Sequence, residues 1–106
     1  GVQTCALPIS TYTFVLTDAN NTLVTASNAS AQTYTIPPNS SVAYPVGSQI
    51  NIIQIGAGQV TFAQGSGVTI ASNGATATAP KLRVQYSSAS AIKVATDTWY
   101  VVGDIS

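Results

Sequence analysis

The chain has 106 residues, 45% of them hydrophobic and 6% charged, with no net charge, against roughly 25% charged in an average soluble domain. That is length and apolar content for one packed domain, and too little basic charge to bind nucleic acid by phosphate neutralisation. There is no His and no Glu, which excludes Ser–His or Cys–His nucleophile pairs, ordinary zinc sites and paired glutamic acids.

Gly1 to Ile9 back-translate to the end of a common short-read sequencing adapter, and the leftover base starts a codon for Ser10. Residues 1–9 are therefore expected to be an unstructured artefact on a truncated metagenomic reading frame. Residues 10–106 are then a single β domain, the C-terminal module of a longer protein. The only cysteine, Cys5, falls inside that stretch, so the natural segment has no disulfide framework.

From Ser10 onward the chain reads as short strands. Tyr12, Phe14 and Leu16 alternate with threonines, the period-2 pattern of a half-buried strand. Asp18-Ala19-Asn20-Asn21 is turn chemistry before Leu23-Val24-Thr25. Gln32 to Ile36 alternates again and stops at Pro37-Pro38; Val42 and Tyr44 share a face before Pro45. Gln49 to Ile55 and Gln59 to Ala63 flank Gly56-Ala57-Gly58, which predicts a hairpin. Gly65-Ser66-Gly67 predicts another turn, into Val68-Thr69-Ile70. Asn73-Gly74 opens a longer loop. Leu82, Val84 and Tyr86 alternate with Lys81, Arg83 and Gln85, and the last pair, Ala91 to Ala95 and Thr98 to Val102, joins around Asp97. No window has a helical apolar stripe, and no apolar run approaches the roughly 20 residues that span a membrane. The expected fold is all-β, a small antiparallel sandwich or barrel of about eight short strands. By parity its core is Phe14, Leu16, Ile36, Ile50, Ile52, Phe62, Ile70, Leu82, Val84, Ile92, Val94 and Val101.

Two strands break the alternation. Ile50 and Ile52 point one way while Ile53 and Ile55 point the other, and Trp99-Tyr100-Val101-Val102 is apolar on both faces. Either a bulge reverses the parity, or one face packs the core and the other meets a second subunit. The second reading makes Ile53, Ile55, Tyr100 and Val102 a candidate subunit interface. Zero net charge suits it, because copies do not repel one another at long range.

Each candidate chemical site has a plainer reading beside it. Asp18, Asn20 and Asn21 offer oxygens to a calcium ion but lack the remaining ligands of a loop site, so they read as an Asx turn. The two Gly-x-Gly stretches have no following helix or lysine, so they read as hairpin turns rather than phosphate cradles. Asp97 is a turn residue, and Asp104 accepts hydrogen bonds near the terminus; neither has a second acid within sequence reach. Trp99 and the tyrosines can stack on sugars or pack the core. Arg83 can reach across an interface or stay solvated. No catalytic residue, metal or cofactor is expected.

The pieces Val46-Gly47-Ser48-Gln49-Ile50-Asn51-Ile52, Gln54-Ile55-Gly56-Ala57-Gly58-Gln59-Val60-Thr61-Phe62 and Gly65-Ser66-Gly67-Val68-Thr69-Ile70 stand in order. Lys81-Leu82-Arg83 with Gln85-Tyr86, then Trp99-Tyr100-Val101-Val102-Gly103-Asp104, complete the set. Together they resemble a small β module of tailed-phage virion appendage proteins, of tail-fibre or head-fibre type. The resemblance covers most of residues 11–106. It implies a non-enzymatic structural or assembly module on the virion surface, a homotrimer in contact with other virion proteins. A receptor-binding tip that recognises bacterial surface carbohydrate, with Arg83 and Trp99 as candidate contacts, is the alternative.

Overall fold

The computed structural model describes residues 2–4, 11–20, 22–74 and 76–106. The strands are β1 (Val2–Thr4), β2 (Thr11–Thr13), β3 (Leu23–Ala26), β4 (Gln32–Ile36), β5 (Gln49–Gln54), β6 (Val60–Gln64), β7 (Thr69–Ser72), β8 (Ser88–Ala95) and β9 (Thr98–Gly103). A single 3-10 turn, Leu16–Asp18, is the helical element among the described residues. The protein is all-β, two sheets packed as a sandwich. One sheet runs β1-β3-β5-β8-β9-β7, and the other runs β2-β4-β6.

The strand directions correct the antiparallel expectation. From β1 to β6 the chain alternates between the sheets, and each strand lies parallel to the one two before it. Leu23 pairs with Asn51 and Gln32 with Val60 at equal sequence spacing, so successive coils stack in register. Among the described strand pairs only β5-β8 and β8-β9 are antiparallel, beside three isolated antiparallel bridges, while β7 returns parallel to β9. The reason lies in the corners. Gly56-Ala57-Gly58 does not reverse β5 into a hairpin; it carries the chain across to the opposite sheet. There it stacks on the preceding coil, with the Gly58 N–H donating to the Asn28 carbonyl at 2.7 Å. A Cβ on Gly58 would stand 1.9 Å from the Ser30 carbonyl oxygen. Glycine is there for the close approach of two backbones. Gly65-Ser66-Gly67 is likewise a corner between β6 and β7, which lie in different sheets.

Between the sheets, Val24 stacks on Ile52 and Tyr34 on Phe62, all fully buried. Phe14 closes the aromatic column, 5.6 Å from Tyr34 and 6.4 Å from Phe62 between ring centroids. Gln54 is buried too, and it ties a corner: its Oε1 accepts the Val60 N–H and its Nε2 donates to the Gly56 carbonyl. Such a side chain is tolerated inside because both ends are bonded.

The core contains Phe14, Ile36, Ile50, Ile52, Phe62, Ile70, Leu82 and Val101 as expected. Four expected members are elsewhere. Leu16 is 54% exposed because the chain leaves β2 and tightens into the 3-10 turn, which breaks the strand parity. Val84 is 48% exposed because residues 81–87 make two isolated bridge pairings and a turn in place of a strand. Ile92 and Val94 sit on the outer face of β8, whose inward positions are Ala89, Ala91 and Lys93. Val101 lies opposite Ala91 and fills the inner space there, so a small residue fits.

Val2–Thr4, expected to be unstructured, forms β1 against β3. A parallel edge offers unpaired N–H and C=O groups, and backbone pairing needs no particular side chains. The rest of residues 1–9 lies outside the described residues.

Candidate functional site

The outer face of the larger sheet is the candidate site. In β5 the buried residues are Ile50, Ile52 and Gln54, and in β9 they are Trp99 and Val101. Both strands keep strict alternation, so no bulge is needed to explain their apolar second faces. The register shift falls instead in β8, between Lys93 and Ala95. Ile53, Tyr100 and Val102 therefore face outward on the same side of one sheet. Ile55 follows beyond the end of β5, half-buried, with its carbonyl accepting from Gln85 Nε2.

Cross-strand registry arranges this face in rows. Ile92, Tyr100 and Ala71 make one row; Asn51, Ser90 and Val102 make the next. Tyr100 and Val102 are 50% and 49% exposed, large values for apolar groups on a central strand. The polar members bond one another. Gln49 Nε2 donates to Asn51 Oδ1 at 2.9 Å and to Ser90 Oγ at 3.2 Å, and Ser90 Oγ donates to Asn51 Oδ1 at 2.7 Å. A depression of about 400 Å³ flanks Tyr100, lined by Ala71, Ser72, Asn73, Val102 and Gly103 among others. This surface combines apolar side chains with neutral amides and hydroxyls and carries no charge.

Trp99 is not on it. Its side chain is 1% exposed and meets Tyr44 edge-on at 5.2 Å between ring centroids, so it cannot contact a glycan or a partner. The inward parity of β9 decides this. Arg83 is exposed but occupied: its Nε and Nη2 donate to Asp104 at 2.7 and 3.2 Å. Ser87 Oγ also donates to Asp104, and the Arg83 and Ser87 hydrogen bonds together hold the Asp104 carboxyl below the usual carboxylate range. The expectation that Asp104 accepts hydrogen bonds near the terminus is met.

Asp18 departs from the Asx-turn reading. It is buried, and its Oδ2 accepts the Tyr12 hydroxyl at 2.6 Å and the Val15 N–H at 2.9 Å. Asn20 turns elsewhere, its Oδ1 accepting the Gln49 N–H at 3.2 Å. The two side chains do not converge, and Asn21 lies outside the described residues. Burial, with the Asp18 charge as the lesser cause, pushes the Tyr44 phenol well above its ordinary range. Asp97 is a turn residue as expected, with φ of 59°. Its Oδ1 also accepts the Asn39 N–H at 2.6 Å, a contact 58 residues away that no sequence signal announces.

The sequence reading missed Lys93. It is 3% exposed on the inner face of β8, with Nζ donating to Asn39 Oδ1 at 2.7 Å and to the Tyr44 carbonyl at 2.6 Å. Lysine is seldom buried, and a lysine between Ile92 and Val94 reads as the solvated side of a strand. No family model matches the chain, and comparison with curated proteins and with solved structures found no match.

Proposed function

We propose that the chain is a non-enzymatic assembly module that packs against copies of itself through the outer face of its larger sheet, as a homotrimeric part of a phage fibre or spike. One observation carries the reading: Ile53, Ile92, Tyr100 and Val102 stand outward on one side of a sheet whose other side is already filled by the core. Apolar area removed from water there is worth about 25 cal/mol per Å², before the cost of association is subtracted. The neutral Gln49–Asn51–Ser90 group beside it exchanges partners without desolvating a charge. The virion assignment rests on the sequence resemblance.

The test is sedimentation of the chain, by itself and fused to a trimeric coiled coil that raises the effective concentration of its copies. The parent is expected to gain thermal stability when trimerised. A Tyr100→Lys, Val102→Lys double variant should fold equally well as a monomer and lose that gain. Equal gains in both proteins sink the proposal.

A second reading has its own support. Tyr100 stands exposed beside a depression with Asn73 and Ser72 in its lining, a ring and neutral polar groups suited to a sugar. Binding of bacterial surface carbohydrate that is lost in Tyr100→Ala, with the oligomeric state unchanged, would favour this host-attachment role.

A further inference from the structure

We propose that Lys93 and Asn39 are the two halves of an intramolecular isopeptide cross-link, formed by the folded chain without an external enzyme. The residues are 54 apart in sequence, yet Lys93 Nζ stands 2.7 Å from Asn39 Oδ1. The amine is held out of water, and both of its partners are neutral: the Asn39 amide and the Tyr44 carbonyl. Among the described residues no carboxylate lies within ion-pair distance of it. An aliphatic amine kept in a dry site against a carboxamide is a nucleophile beside an electrophile.

The surroundings fix both groups. Lys93 is anchored on a strand paired on both sides, its N–H donating to the Ser48 carbonyl and its carbonyl accepting the Gly47 N–H. Tyr44, itself packed on Trp99, presents the carbonyl that aims the amine. Asp97 holds Asn39 through its backbone N–H and acts as a positioning residue. The amide carbon lies one C=O bond, about 1.2 Å, behind the oxygen that Nζ already touches. A modest side-chain rotation brings Nζ over that carbon at the roughly 3–3.5 Å of a near-attack geometry.

The step balances without a co-reactant. Lys93 Nζ, in its amine form, adds to Asn39 Cγ, forming the C–N bond. A proton from Nζ passes to Nδ2, the Cγ–Nδ2 bond breaks, and ammonia leaves. Starting from the ammonium, the product is the amide and an ammonium ion. No electron is gained or lost. The covalent tie would join the loop after β4 to the inner face of β8. It would constrain the unfolded chain as a disulfide does, in a protein whose single cysteine cannot form one internally.

Intact mass spectrometry of the folded chain after prolonged incubation at neutral pH is the test. The expected result is a mass short by one ammonia, resistance of the Lys93 bond to trypsin, and a branched peptide that joins residue 39 to residue 93. Lys93→Arg and Asn39→Ala should each restore the full mass and melt earlier, by on the order of 10 °C. The Asn39 variant alters a half-buried loop side chain, so it stays informative if the Lys93 variant folds poorly. A succinimide at Asn73-Gly74 also loses ammonia. A loss that maps to that dipeptide, or that persists in Lys93→Arg, overturns the proposal, as does a full-mass parent.

Discussion

The two ends of the molecule obey the same strand periodicity and use it differently. In β4, β5 and β6 of the coiled half, inward positions are large and apolar or glutamine, and outward positions are mostly threonine and other small or polar residues, with Ile53 the large apolar exception. In the hairpin half, β8 turns Ala89, Ala91 and Lys93 inward and Ile92 and Val94 outward. The coil therefore spends its bulk on its own core. The hairpin lets β9 fill the interior with Trp99 and Val101, and shows apolar side chains to whatever comes next. Apolar side chains on the outside of a filled sandwich support the proposed contact surface.

Substitutions in the coil should be the most costly. Phe62→Ala removes a fully buried ring from the aromatic column and is expected to lower unfolding free energy by about 3–5 kcal/mol in chemical denaturation. A near-neutral result would mean that the column does not stack as described. Gly58→Ala comes next, at about 1–3 kcal/mol or somewhat more, because its Cβ would collide with the Ser30 backbone of the coil above. A mild effect there would break the coil-on-coil picture and restore the local hairpin.

The hairpin half should respond more weakly. Asp104 has a depressed carboxyl pKa through Arg83 and Ser87. Its contribution is thus present above the unfolded carboxylate value, near 4, and fades as pH falls through the lower folded value. Asp104→Asn should flatten the acid side of a melting-temperature profile, and salt should shrink the difference because the pair is exposed. An unchanged profile would show that the pair contributes nothing. Tyr100→Lys with Val102→Lys should change the stability of the monomer least, within about 0.5 kcal/mol, since neither side chain is packed inside. A large loss would mean that the outer face supports the fold itself.

Period-2 alternation marked β2, β4, β6 and the β8–β9 pair in the sequence, and the absence of any helical stripe set the class. The doubly apolar runs at Ile50–Ile55 and Trp99–Val102 likewise announced a second apolar face, because an alternating chain has only two sides on which to put its bulk. Strand direction was not legible: backbone pairing is indifferent to side chains, and Gly56-Ala57-Gly58 serves a hairpin or a corner equally well. The choice of face was not legible in β8 either. Both of its sides carry residues that can be covered, and a strand's inward side is set by the register of its neighbours. Only the tertiary structure turned Lys93 inward, because Tyr44 and Asn39, distant in sequence, arrive there with the oxygens that a buried amine requires.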